Sequence, residues 1–395
     1  MAERLIYLDH AATTAVDQAV VAAMLPYFTG TFGNPSSVHA AGRAALIALD
    51  RARETVAAVL GADRKEIIFT AGGSESDNLA IKGVAQAQRD AGKGCHIITS
   101  AIEHHAVLHA FDALATQGFA VTVLPVGPSG LVRPDDLQAA LRSDTVLVSI
   151  MYANNEIGTI QPIATLGAIC RAAGVPFHSD AVQAAGVLPL DVRTLNVDLL
   201  TLAAHKFYGP KGVGVLYARR GVALAPQING GGQERRRRAG TENVAGIVGL
   251  AVALHAAEQR RASYNAHCAA LRDRLVGQVL EHVPLTYLNG DPTQRLPNNA
   301  NIAFEYLEGE SLLLLLDQQG IAASSGSACT SGALEASHVL TALGLPHERA
   351  IGSLRFTVGK DTTAADIDTV VATLPTLVER LRAASPEYRD VLVER

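Results

Sequence analysis

The chain has 395 residues, 48% hydrophobic and 18% charged, a globular balance with apolar material for one large domain or two ordinary ones. A formal net charge of −5 and a sequence pI of 6.2 argue against nucleic acid or an anionic membrane as the main partner. The start MAERLIYLDH has no apolar signal core, the run Leu312–Leu316 is too short to span a bilayer, and four scattered cysteines (Cys95, Cys170, Cys268, Cys329) suggest neither disulfides nor zinc, so a soluble cytoplasmic protein in a reducing compartment is the expectation.

From about residue 65 to 220, short apolar runs alternate with longer Ala/Leu-rich segments. The runs are EIIFTA, HIITS, VTVLPV, TVLVSIMYAN, VPFHSDAV, VDLLTLAAH and GVGVLYA. Several are continuous rather than alternating, as buried parallel strands are. Helical segments at 74–91, 104–117 and 163–173 lie between them. The pattern predicts an α/β domain with a mostly parallel seven-stranded sheet flanked by helices. Ligands in such sheets bind beyond the carboxyl ends of the strands. Residues 244–282 read as a long helix. The turn-laden passage PLTYLNGDPTQRLPNNANIAF follows, then strand, helix, the small-residue stretch SSGSACTSG around Cys329, and SLRFTVG. A boundary near 260 divides a large domain, 16–260, from a smaller α+β domain built from 1–15 and 261–395.

Lys206 ends the apolar run 197–204, at the carboxyl end of a predicted strand, and Gly209-Pro210-Lys211-Gly212 turns the chain sharply after it. An amine held there can form a Schiff base with an aldehyde cofactor. Pyridoxal phosphate is the candidate, and it has three further needs. Its pyridine nitrogen needs a carboxylate, which Asp180 at the end of VPFHSD offers. Its phosphate needs amides at a helix start, which Gly72, Gly73 and Ser74 offer. Its ring needs a flat partner, which His104 offers. Each signal is weak alone, and the four in order on four strand ends are much stronger.

The motifs YLDHAATT, FGNPSS, GGSESDN, EHHAVL, NNEIG, HSDAVQ, HKFYGPKG, GGGQERRRRAGTEN, SSGSACTSG and SLRFTVG run from end to end of the chain. In them the sequence resembles the cysteine desulfurases of the NifS/IscS-like group, class V aminotransferases within the fold-type I pyridoxal phosphate enzymes. The resemblance implies that Lys206 carries the cofactor, Asp180 pairs with the pyridine nitrogen, Gln183 with the ring oxygen, and His104 stacks on the ring. It implies that Gly73, Ser74 and His205 hold the phosphate, with Thr241 reaching the phosphate of the other subunit of a homodimer. Asn155 and Arg355 are implied to bind the substrate carboxylate, with Asn34 nearby.

Cys329 is implied to be the nucleophile, on a mobile loop at about 322–334. The implied reaction turns L-cysteine into L-alanine and leaves a persulfide on Cys329. The sulfur then passes to an acceptor protein such as an iron–sulfur scaffold, for iron–sulfur cluster or thio-cofactor assembly, and a transient iron–sulfur cluster on Cys329 is a further implied partner. A thiol that must visit both the pocket and an acceptor explains a Gly/Ser/Ala loop, because small residues neither pack nor stiffen the chain.

The sequence departs from the pattern at Ala203, where many relatives carry a phosphate-binding serine. The missing donor is worth about 1.5–3 kcal/mol. His105 and His109 have i, i+4 spacing but no third ligand, so they read as packing or surface residues and no metal is expected. The run Arg235–Arg238 reads as a dimer-face or phosphate feature in an acidic chain. The rival readings are a selenocysteine lyase or aminotransferase of the same fold, and a non-catalytic sulfur carrier. A transaminase has no use for Cys329, and a carrier has no reason to combine Lys206, Asp180 and His104.

Overall fold

A computed structural model describes residues 5–325, 336–386 and 388. The chain opens with β1 (Ile6–Tyr7). The seven apolar runs form β2 (Ile67–Thr70), β3 (His96–Ser100), β4 (Ala120–Leu124), β5 (Thr145–Ser149), β6 (Phe177–Asp180), β7 (Leu199–Ala203) and β8 (Gly214–Ala218), all in one sheet. Its order is β2-β8-β7-β6-β5-β3-β4, and only β8 runs against its neighbours. This is the mostly parallel seven-stranded sheet read from the sequence.

The runs are continuous because both faces of the sheet are covered. Phe69, Ile98, Val148 and Leu200 pack into a core on one face, while Ile68, Ile97, Leu147 and Leu199 pack into a core on the other. Adjacent residues of a strand point to opposite faces, so a doubly covered strand has no polar side. The edge strand β4 is the partly exposed one. Helices Gly73–Asp90, His105–Ala115 and Ile163–Ala172 connect the strands, close to their sequence-read bounds.

The helix Val244–His282 is continuous and changes core along its length. Ile247, Leu250, Leu254 and Ala257 join the sheet core, and Cys268, Leu271, Leu275 and Val279 join a second one. The second core packs against β9 (Thr286–Leu288), β10 (Asn299–Phe304), β11 (Ile321–Ala322) and β12 (Ser353–Thr357), with the helices Gly309–Gln318 and Ala364–Ala384. The leucine run lies on the helix Gly309–Gln318, where Leu312 and Leu316, one turn apart, are buried and Leu314 is exposed.

The passage from 284 to 304 reads as turns but holds β9 and β10. Its asparagines are satisfied by tertiary partners: Asn289 Nδ2 donates to Asn301 Oδ1, and Asn299 and Asn301 donate to the Glu156 carbonyl. Such distant bonds override the local turn signal.

The first described residues fold back onto the second core. β1 pairs in parallel with β11, matching Ile6 with Ile321, and Asp9 bridges Thr357. Leu8 is fully buried among Phe304, Phe356 and their neighbours. Leu8→Ala should therefore lower unfolding free energy by about 2–4 kcal/mol in urea titrations. A change under about 0.5 kcal/mol would mark the segment as a surface tail.

Candidate active site

The carboxyl ends of β2, β6 and β7 and the segments after β3 and β5 meet at a cavity of about 330 Å³, the size of a small-molecule site. It is lined by Gly73, Ser74, Asp77, His104, Asn155, Asp180, Gln183, Ala203, His205, Lys206 and Arg355, among others. Nine of the twelve residues singled out from the sequence therefore share one cavity. Asn34 and Thr241 are exposed and do not line it. Cys329 lies outside the described residues, within 326–335. The flanks of that stretch are seated: Ser324 exchanges backbone bonds with Arg355, and Ser337 Oγ donates to Glu156 Oε2 at 2.5 Å.

At one corner the helix Gly73–Asp90 begins without a side-chain cap. The first amides of a helix have no partner inside it and carry the positive end of its dipole, which suits an anion. The Ser74 hydroxyl and the His205 ring add donors. The turn lies so close to β8 that a Cβ at Gly214 would sit 2.6 Å from the Gly72 carbonyl carbon, so only glycine fits there. Ala203 puts a methyl group on this corner: a Cβ on Gly73 would come 3.5 Å from it.

Lys206 follows β7 in a short 3₁₀ turn, Ala204–Lys206. Its Nζ donates to the Ala11 carbonyl at 2.6 Å and the Ala12 carbonyl at 2.8 Å. Gln183 Nε2 also donates to Ala11 O, at 3.0 Å. The Thr14 hydroxyl donates to His205 O and accepts the Tyr208 amide. The motif YLDHAATT is thus a wall of the cavity. The sequence reading put residues 1–15 with the smaller domain but gave the motif no part in the cavity, since nothing local ties residue 11 to residue 206.

The electrostatics favour neutral groups around Lys206. Burial, then Lys206, pushes His104 down to about 4. Its Nδ1 accepts the Ala106 amide, so the single ring proton sits on Nε2. Burial and Lys206 likewise push His205 down to about 4. Burial raises Asp180 above the usual carboxylate range, while the Val182 amide and Lys206 oppose it. A cation brought against Asp180 would stabilise its charged form.

Two further acids are buried at the site, Asp77 in its lining and Glu103 behind it, and no sequence signal marked them. Asp77 is buried and raised by desolvation and by Asp180, and its Oδ1, 3.7 Å from His178 Nε2, has no hydrogen-bond partner among the described residues. Glu103 is fully buried and pushed up to about 8, although Ser100 and the Met151 amide donate to it.

Arg355 lies on β12, buried, with Nη2 on Asp9 Oδ1 at 2.8 Å and Nη1 on the Asn155 carbonyl at 3.0 Å. Among the described residues its Nε is buried with no hydrogen-bond partner, and a guanidinium lining the cavity suits a ligand carboxylate. His105 stacks on His109, with ring centroids 5.1 Å apart, and meets His338 at 4.7 Å. Among the described residues no group of His, Cys, Asp or Glu is placed to hold a metal ion. No helix of the described residues is long and apolar enough to cross a membrane.

The class-V aminotransferase family matches residues 6–370. The chain belongs to this family. A cysteine desulfurase IscS of Methanosarcina thermophila is 56% identical over 390 residues, spanning 98% of this chain and 96% of the relative. One of Dictyoglomus turgidum is 51% identical over 388 residues, spanning 98% of each. A solved NifS-like protein superposes with a TM-score of 0.89 at 37% identity, over 96% of this chain and all of that one.

Class-V aminotransferases depend on pyridoxal phosphate. The cavity fits that group by its donor set. It has an amine at Lys206, an anion corner at Gly73, Ser74 and His205, and a buried carboxylate at Asp180 whose charge a ring N–H would stabilise.

The buried acids make stability depend on pH in a stated direction. Glu103 titrates at about 4.5 in the unfolded chain and about 8 in the folded one. Between those values the folded protein keeps a proton that the unfolded chain has lost. The associated stability is full below pH 4.5 and is lost as pH rises through 8. Glu103→Gln should therefore gain on the wild type in urea-unfolding free energy from pH 5 to pH 8. A variant-minus-wild-type free energy that does not rise over that range would mean that Glu103 is already ionised in the fold.

Proposed function

We propose that the chain is a pyridoxal phosphate-dependent cysteine desulfurase that converts L-cysteine to L-alanine and moves the sulfur to Cys329. The observation that carries the reading is the convergence of Lys206, Asp180, His104, Gly73, Ser74 and Arg355 on one cavity. The identity of about half of all positions with cysteine desulfurases along nearly the whole chain supports it.

When bound, pyridoxal phosphate supplies an aldehyde that condenses with amines and a protonated ring that takes up electrons. The rest falls to the chain. Gly73, Ser74 and His205 would hold its phosphate, and Gln183 would serve its ring oxygen. Asp180 would favour a proton on its ring nitrogen. His104, with its proton on Nε2, would be the flat partner for its ring. Arg355 and Asn155 orient the substrate carboxylate. Lys206 Nζ carries protons between Cα and Cβ of the substrate.

The Cys329 thiolate attacks the substrate sulfur. The Cβ–S bond breaks, an S–S bond forms, and Cβ takes a proton. L-cysteine and one thiol become L-alanine and one persulfide, so no outside oxidant or reductant is needed. The persulfide sulfur then passes to an acceptor protein.

The working unit is a homodimer. The stretch between residues 25 and 38 exposes Leu25, Phe28, Phe32 (71% exposed) and Val38 (88%), and Ile47 lies exposed on the next helix. That much apolar side chain on one segment suits a second copy. Asn34 lies in the same stretch, and Thr241 is exposed and free to serve the neighbouring site.

Three measurements test this reading. The purified protein with L-cysteine and reductant should make alanine and sulfide in equal amounts. Lys206→Ala should lose the visible absorption band of the bound cofactor, whereas Cys329→Ser should keep the band and lose at least a hundredfold of sulfide release, on the order of what removal of a nucleophile costs. Sulfide release retained by the serine variant would remove Cys329 from the chemistry. In light scattering the mass should be twice the 41.3-kDa chain, and Phe32→Asp with Val38→Asp should bring it to one chain. A monomeric wild type rejects the dimer.

A further inference from the structure

The segment after β8 contains a conformation that L-residues avoid. Glu234 (φ 43°, ψ 40°), Arg235 (φ 58°, ψ 42°) and Arg236 (φ 64°) follow one another in the left-handed region. Single residues visit this region at turns, but consecutive ones are disfavoured by the clash of Cβ with the next carbonyl. None of the three is glycine, so something outside the turn must hold it.

The hold comes from Arg53 and the Phe69 amide, which grip the Glu234 side chain. That side chain is buried, and it takes Arg53 Nη1 at 2.8 Å and Nη2 at 2.7 Å in a two-pronged ion pair. Its Oε2 also accepts the Phe69 amide at 3.1 Å. Phe69 belongs to β2, at the edge of the sheet opposite β4, where no described strand pairs with its outer backbone groups. Side chains stand in for a strand. Arg53 Nη1 and Arg235 Nη1 donate to the Ile67 carbonyl, at 2.8 and 3.1 Å, while Glu234 accepts from Phe69.

The place where this happens gives it meaning. β2 leads within three residues to the Gly72-Gly73-Ser74 turn at the anion corner of the cavity. The other end of the left-handed turn delivers Arg238, whose Nε donates to Glu75 Oε1 at 2.9 Å. Glu75 sits in the first turn of the helix Gly73–Asp90, where its Oε2 accepts the Ala71 amide. Arg238 thus balances an acid that would otherwise repel an anion beside Ser74. Both contacts of the turn bear on the same corner.

We propose that the Arg53–Glu234 pair is a positioning latch for the phosphate end of the cofactor site. It holds residues 234–236 in their strained turn, fixes the strand that leads into the phosphate turn, and brings Arg238 to Glu75. The inference rests on the reading of this cavity as a pyridoxal phosphate site.

The test compares pyridoxal phosphate with pyridoxal, which lacks the phosphate. Holoenzyme is stripped and titrated with each, following the visible band, and folding is checked by circular dichroism. Glu234→Gln should weaken pyridoxal phosphate roughly 10-fold, as the loss of one buried charge-assisted contact does, and leave pyridoxal within about twofold. Adding Arg236→Gly should restore most of the loss, since glycine takes a positive φ without strain.

Should the glutamine variant fold poorly, Arg53→Met with Glu234→Leu keeps the packing without the charges and should show the same selective loss. An unchanged preference for pyridoxal phosphate over pyridoxal overturns the latch, as does equal weakening of the two. Ser74→Ala separates the two levels of inference. If it too leaves the preference unchanged, the phosphate reading of the corner has failed; if it lowers the preference while the Glu234 variants do not, only the latch has failed.

Discussion

An ammonium inside a protein needs acceptors, and that requirement organises this molecule. Lys206 lies among buried groups, and the carbonyls of Ala11 and Ala12 receive its protons. Residues 6–14 are thereby tied to the middle of the chain. They are also tied to its end, because Leu8 fills the second core, β1 pairs with β11, and Asp9 holds Arg355. A segment too short to be stable alone thus joins both cores at the cavity, and the lysine and the arginine face the same space.

The second constraint is charge in a dry place. Asp180, Asp77 and Glu103 are all buried near one another, and each is driven toward its neutral form. His104, His178 and His205 are driven toward neutrality as well. An environment that disfavours every charge makes each remaining charge effective, because little solvent screens it. Lys206 and Arg355 are the cations of such an environment. A ligand bearing a phosphate, a carboxylate and a protonated ring matches what the cavity has to give.

Much of this was legible in the residues. The seven strands could be read as apolar runs because a parallel sheet covered on both faces has no polar side to obscure the pattern. Lys206, Asp180, His104 and the Gly73-Ser74 turn could be read as strand-end features, since each sits where an apolar run stops. The small strands β9 and β10 were hidden by their asparagines, whose partners lie far away at Glu156 and Ser353. Asp77 and Glu103 were hidden for a similar reason: an acid on a helix or after a strand looks solvated until neighbours cover it. The run Arg235–Arg238 read as a dimer-face or phosphate feature, and its partners could not be read: Arg235 is committed to Ile67 and Arg238 to Glu75.

By itself the sequence determined the layered α/β class, the strand ends where chemistry sits, and the residue types a Schiff-base cofactor would require. Those are properties of local pattern: periodicity, apolar run length and the placement of glycine. Only the tertiary structure decided that nine of those residues share one cavity, that the N-terminal carbonyls hold Lys206, and that a buried ion pair sustains a left-handed turn beside the anion corner. Those facts depend on groups separated by up to several hundred positions in the chain, and burial and hydrogen bonding between such groups have no local signature.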